Sequence, residues 1–64
     1  MGDDDQARAT VRRLLLSGDN TLKNRDDPAS AARARARFEE ALAVAEQAGL
    51  DEGLITIIRR RLEA

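Results

Sequence analysis

Small and apolar residues recur every three or four positions in the first third of the chain, ahead of a polar break. They are Ala7, Val11, Leu14, Leu15, Gly18 and Leu22. On a helical wheel they form one narrow stripe, which is typical of an amphipathic helix. Acidic residues at positions 3–5 precede the stripe and suit the positive end of a helix dipole. The pattern predicts a helix over about residues 4–24, in which Gly18 marks a close contact with another helix or a kink.

A second stripe follows the break at residues 24–28. Asp27 suits the N-cap because its carboxylate can accept an amide hydrogen bond, and Pro28 suits the first helical position, where no N–H is needed. Gly49 is a natural residue just beyond a helix end. We therefore predict a helix over residues 28–48. Its stripe consists of Ala31, Ala34, Phe38, Ala41, Leu42, Ala45 and Ala48. So many alanines predict a closely approaching partner helix, with Phe38 filling the remaining space.

A short turn, with Asp51 as its predicted N-cap, leads to a third helix expected over residues 52–63. Its apolar side chains cover an arc about 160° wide, broader than the first two stripes. They are Leu54, Ile55, Ile57, Ile58 and Leu62. Short connections favour antiparallel neighbours. The sequence thus predicts an all-α fold, an antiparallel helical hairpin plus a third packing helix, in a single small helical domain over residues 1–64.

Two motifs in these helices have a familiar spacing. The second helix carries Ala34-x3-Phe38-x2-Ala41-Leu42, and the first carries Leu14-x3-Gly18 followed by Asp19-Asn20-x-Leu22-Lys23. Together they resemble the two helices of a single tetratricopeptide repeat, over residues 11–49, although the turn at residues 26–28 is longer than in the usual repeat. The resemblance implies a three-helix, tetratricopeptide-like unit with a capping third helix. It also implies a role in protein–protein interaction, with no particular ligand.

The amino-acid composition excludes several classes of function. The chain has no Cys and no His, and its eleven basic and twelve acidic residues give a formal net charge of −1. Thiolate, imidazole and zinc-finger chemistry are therefore excluded. The paired carboxylates at residues 26–27 and 39–40 lack a desolvated pocket of the kind that catalysis needs. We expect no enzyme activity, no cofactor, no metal and no small-molecule substrate. No apolar run approaches the ~20 residues of a membrane span, and there is no secretory segment, so we expect a cytoplasmic protein without a membrane partner.

Two large apolar residues are poorly placed for the predicted core. Leu16 projects away from the first stripe, and Ile57 lies at the edge of the third arc. Such residues in a small domain point to an interface. We therefore predict an interaction surface composed of Leu16, Leu54, Ile57, Arg59, Arg60 and Arg61. The leading hypothesis is a non-catalytic protein–protein interaction or self-association module, part of a larger intracellular protein, with a protein partner or a homo-oligomer.

A nucleic-acid-binding three-helix domain is the alternative hypothesis. It would use Arg12, Arg13, Arg59, Arg60 and Arg61. The near-neutral charge and the lack of aromatic platforms favour a protein partner over a nucleic acid. The alternative requires those arginines to share one face. A structural domain without a ligand is the third hypothesis.

Overall fold

The computed structural model describes residues 2–24 and 26–63, with side chains from residue 4 onward, so the side chain of Asp3 lies outside the described residues. These residues form three helices: α1 over Gly2–Leu22, α2 over Ser30–Ala48 and α3 over Glu52–Glu63. Helix α1 packs against α2, and α2 packs against α3. The predicted all-α, three-helix fold is confirmed.

The contact between α1 and α2 is built on a glycine and a phenyl ring. Phe38 is only 3% exposed, and a Cβ built on Gly18 would lie 2.8 Å from the Cζ of that ring. A distance this short leaves no room for a methyl group. Gly18 therefore marks a close helix contact, the first of the two alternatives. Ala34 and Ala41, which are also buried on α2, belong to the same small-residue stripe.

The break between α1 and α2 differs slightly from the prediction. Helix α1 spans residues 2–22 rather than 4–24, and α2 begins at Ser30 rather than Pro28. Helix α2 begins later because residues 27–30 form a tight turn, in which the Ser30 amide donates to the carbonyl of Asp27 at 3.0 Å. The prediction of Asp27 as N-cap is wrong, because the N-cap is Ala29, which has no side-chain cap hydrogen bond among the described residues. The Asp27 Oδ1 instead accepts the Ala29 amide at 2.9 Å in the turn before the helix.

Helix α2 ends in a Schellman motif, which brings an unpredicted residue into the core. Gly49 is left-handed, with a φ of 67°, and its amide donates to the carbonyl of Glu46 at 3.2 Å. The next amide, that of Leu50, donates back to Ala45 at 3.0 Å. This motif commonly pairs the residue after the glycine with one in the last helical turn. Leu50 accordingly joins the core with Ala45.

Helix α3 runs in the same direction as α1. Two ion pairs show this, since one joins the starts of the two helices and the other joins their ends. Arg8 lies 3.8 Å from Asp51 near the start of both helices, and Arg61 lies 3.0 Å from Asp19 near their ends. Asp51 takes the predicted N-cap position, where its carbonyl accepts the Ile55 amide at 3.3 Å. A hydrophobic core cluster lies between the three helices and consists of Val11, Leu14, Ala41, Ala45, Leu50 and Ile58.

In the stripes predicted for the first two helices, two residues are exposed. Leu22 is 43% exposed and Ala31 is also exposed. Both line an apolar pocket where the end of α1, the start of α2 and the end of α3 meet. They are open to solvent because α1 stops at Leu22, so no further helical turn covers this end of the bundle. The predicted exposure of Leu16 is confirmed, at 58%.

Candidate functional site

Two apolar residues of the predicted interaction surface, Leu54 and Ile57, line a groove between α1 and α3. Helices α1 and α3 approach each other less closely than either approaches α2, which leaves a channel between them. Its apolar lining consists of Val11 and Leu15 from α1 and Leu54 and Ile57 from α3. Ile57 is 47% exposed, and Leu54 and Leu15 are half-buried. We call this surface the α1–α3 groove.

The rim of the α1–α3 groove carries more positive than negative charge. Arg8, Arg12 and Asp51 line it, together with Gly53, which has no side chain. The Arg8 guanidinium pairs with the Asp51 carboxylate across one end of the groove, at 3.8 Å. Among the described residues, Arg12 has no ion-pair partner within 4 Å, and its side chain is exposed. The groove thus combines an apolar floor with one uncompensated arginine.

Leu16 and Arg13 lie on the other flank of α1. Both line a separate cleft, between the end of α1 and the start of α2, whose other lining residues are mainly polar. Asp27 and Arg33 close this cleft with an ion pair of 3.5 Å. Of the apolar residues in the predicted interaction surface, Leu54 and Ile57 therefore share a groove, whereas Leu16 does not line it.

The three consecutive arginines near the end of α3 spread over different sides of the helix. Arg59 pairs with Glu46 of α2 at 3.4 Å, whereas Arg61 pairs with Asp19 of α1. Arg60 is exposed and forms no ion pair within the described chain. The structure therefore does not assemble residues 59–61 into one basic face, and two of their three charges are matched by carboxylates.

The Arg61 side chain leaves one of its hydrogen-bond donors unsatisfied within the described chain. Its Nη2 donates to the Asp19 carboxylate at 3.0 Å, but its Nε is buried without a hydrogen-bond partner in the described part of the protein. A buried donor without an acceptor costs about 1–3 kcal/mol, which offsets much of what a partly exposed ion pair contributes. We therefore expect the contact between Arg61 and Asp19 to contribute little net stability to the fold.

Among the side chains that the structure describes, in residues 4–24 and 26–63, there is no group of three or more acidic residues placed to hold a metal ion. None of the helices described above is both long enough and apolar enough to cross a bilayer.

Sequence reasoning did not assign Arg12 and Leu15 to the interaction surface. Leu15 belongs to the predicted core stripe of α1, and Arg12 was considered only for nucleic-acid binding. No sequence signal singles them out, because the Arg8–Asp51 ion pair, which places the start of α3 beside this flank of α1, is visible only in the structure. A helical wheel shows the faces of one helix but not which flank a third helix covers.

Comparisons with known proteins do not indicate what the α1–α3 groove binds. No family model matches the sequence, and no curated protein or solved structure matches the chain. Function is therefore inferred from the geometry of the groove and the charges around it.

Proposed function

We propose that this chain is a non-catalytic protein-interaction or self-association module whose contact surface is the α1–α3 groove. The observation that carries the proposal is the uncovered apolar lining, with Ile57 47% exposed beside Leu54 and Leu15. Apolar surface that is rimmed by charged residues is characteristic of protein interfaces. The mechanism is burial of this lining, at about 25 cal/mol per Å² of apolar surface removed from water.

The arrangement of the arginines favours a protein partner over a nucleic acid. A nucleic-acid surface needs several unpaired basic groups on one face, because affinity comes from neutralising phosphates. Arg59 and Arg61 instead pair with carboxylates on two different helices. Arg12 and Arg13 line clefts on opposite flanks of α1.

The resemblance to a tetratricopeptide repeat supports the interaction role, and we propose that the α1–α2 hairpin is a single unit of that type. The close packing of Phe38 on Gly18 is the contact that the resemblance implies. We also propose the cytoplasmic location, as part of a larger intracellular protein, that we predict from the sequence.

The proposal is tested with two matched variants. Ile57→Asp places a charge in the groove, and Leu16→Asp places the same charge on an exposed leucine outside it. Peptides selected from a display library against the purified chain should bind at least about tenfold more weakly to Ile57→Asp, since apolar anchors dominate interface energetics. Leu16→Asp should bind them like the wild type. If the module self-associates instead, sedimentation equilibrium should show the same dependence.

Circular dichroism first establishes that both variants retain the helix content of the wild type. A chain that selects no peptide and stays monomeric up to about 1 mM, a concentration at which even weak contacts form, contradicts the proposed function. Equal losses in Ile57→Asp and Leu16→Asp would place the contact surface elsewhere.

A further inference from the structure

We propose that the α1–α3 groove binds an acidic amphipathic helix of a partner protein, with its apolar face on Leu15, Leu54 and Ile57 and its carboxylates on Arg12. This inference rests on the proposed function and narrows it to one kind of partner.

The charge of the groove determines the charge of its partner. Two arginines and one aspartate line it, and the Arg8–Asp51 pair cancels one positive charge. Arg12 is left beside the apolar lining, and Arg60 is exposed one helical turn beyond Ile57. Both lack an ion-pair partner among the described side chains. Like charges across an interface are costly and opposite charges set orientation, so a complementary partner carries carboxylates at its rim.

The shape of the groove determines the secondary structure of its partner. Its walls are two helices running in the same direction, and each wall carries groove-lining residues three positions apart: Arg12 and Leu15 on α1, and Leu54 and Ile57 on α3. Ridges at this spacing interlock with the side chains of another helix. The described chain offers no strand edge to which an extended peptide could add. A helix with apolar residues every three or four positions therefore fits best.

A second copy of this chain is a poorer occupant. An isologous dimer places the groove against its own image, so both copies bring the same net positive charge into one interface. Neither copy of the groove then supplies a carboxylate beyond Asp51 to match Arg12, which disfavours the contact. The groove thus favours a different, acidic protein segment.

The test uses two designed peptides and two adjacent arginines. Each peptide has about 14 residues, which as a helix spans roughly 20 Å and matches the length of α3. Both carry leucines every three or four residues, flanked by glutamates in one peptide and by lysines in the other. Binding to the ¹⁵N-labelled chain is followed by fluorescence anisotropy and by amide chemical shifts. The protein variants are Arg12→Glu, within the groove, and Arg13→Glu, its immediate neighbour in the other cleft.

The inference predicts that the glutamate peptide binds at least about tenfold more tightly than the lysine peptide at low salt, and that the difference shrinks as salt screens the charges. Amides of α1 and α3 near residues 12, 15, 54 and 57 should shift. Arg12→Glu should weaken binding of the glutamate peptide by about tenfold, and Arg13→Glu by less than about threefold.

Several results would overturn this inference while leaving the proposed function intact. They are equal binding of the two peptides, equal effects of Arg12→Glu and Arg13→Glu, or a homodimer that Ile57→Asp dissociates. Displacement of the glutamate peptide by duplex DNA, with the same dependence on Arg12, would assign the groove to nucleic acid instead. If neither peptide binds, no library peptide is selected and the chain stays monomeric, both the inference and the proposed function fail.

Discussion

Replacing Gly18 by alanine tests the packing between α1 and α2, because helix propensity and packing predict opposite signs. In a helix interior, alanine is more favourable than glycine by about 0.5–1 kcal/mol. At Gly18, however, the new Cβ would lie 2.8 Å from the Cζ of Phe38, and the ring is almost fully buried, so it cannot move aside into solvent. Overpacking of this kind costs about 1–3 kcal/mol. We expect Gly18→Ala to be destabilising overall, by up to about 2 kcal/mol.

Gly53→Ala is the matched control. Gly53 lies near the start of α3, and a Cβ there would meet only the Asp51 carboxylate, at an ordinary 3.4 Å. This variant should therefore stabilise the fold by about 0.5–1 kcal/mol. Both free energies of unfolding come from urea denaturation followed by circular dichroism at constant protein concentration. In a double-mutant cycle, Gly18→Ala should cost less in a Phe38→Leu background than in the wild type, since contacting residues couple by about 0.5–3 kcal/mol. The reasoning is refuted if Gly18→Ala is as stabilising as Gly53→Ala.

Three further predictions concern helix ends and the ion pair between α1 and α3, and urea denaturation measures them all. Asp27→Ala removes the acceptor of the Ala29 amide in the turn before α2 and should cost about 0.5–1.5 kcal/mol, whereas Asp27→Asn keeps an acceptor and should cost less; equal losses would contradict a role for this hydrogen bond. Gly49→Ala should cost about 1–2 kcal/mol through its left-handed backbone alone, because nothing lies within 4 Å of its Cβ position, and Gly49→Asn should cost less. Arg61→Met should stay within about 1 kcal/mol of the wild type, because it also removes the buried unpaired Nε. A loss above about 2 kcal/mol would show that the pair with Asp19 stabilises the fold strongly.

The close contact between α1 and α2 could be predicted from sequence because it follows from side-chain size. A lone phenylalanine in a stripe of alanines needs a gap on the facing helix, and Gly18 is the residue of the first stripe that leaves one. Size complementarity of this kind is visible without coordinates. Leu50 could not be placed in the same way, because its burial depends on the left-handed turn at Gly49, which folds the chain back against α2.

The sequence predicts the α3 side of the α1–α3 groove but not the α1 side. The wheel of α3 shows that Ile57 lies at the edge of a broad arc, and this edge is indeed exposed. The wheel cannot show which flank of α1 lies beside that edge, since periodicity describes one helix at a time. Leu16 and Leu15 are adjacent in sequence, yet they line different clefts. Arg12 and Arg13 are divided in the same way.

The most direct test of this account is a nuclear Overhauser measurement between the ring protons of Phe38 and the α-protons of Gly18. That contact sets the register of α1 on α2, and α2 in turn carries α3, so the α1–α3 groove depends on it. The account predicts observable cross-peaks, which require protons within about 5 Å, the separation expected where a phenyl ring packs directly on a helix backbone. Their absence, with ring protons that contact solvent instead, would contradict the packing and the groove that depends on it.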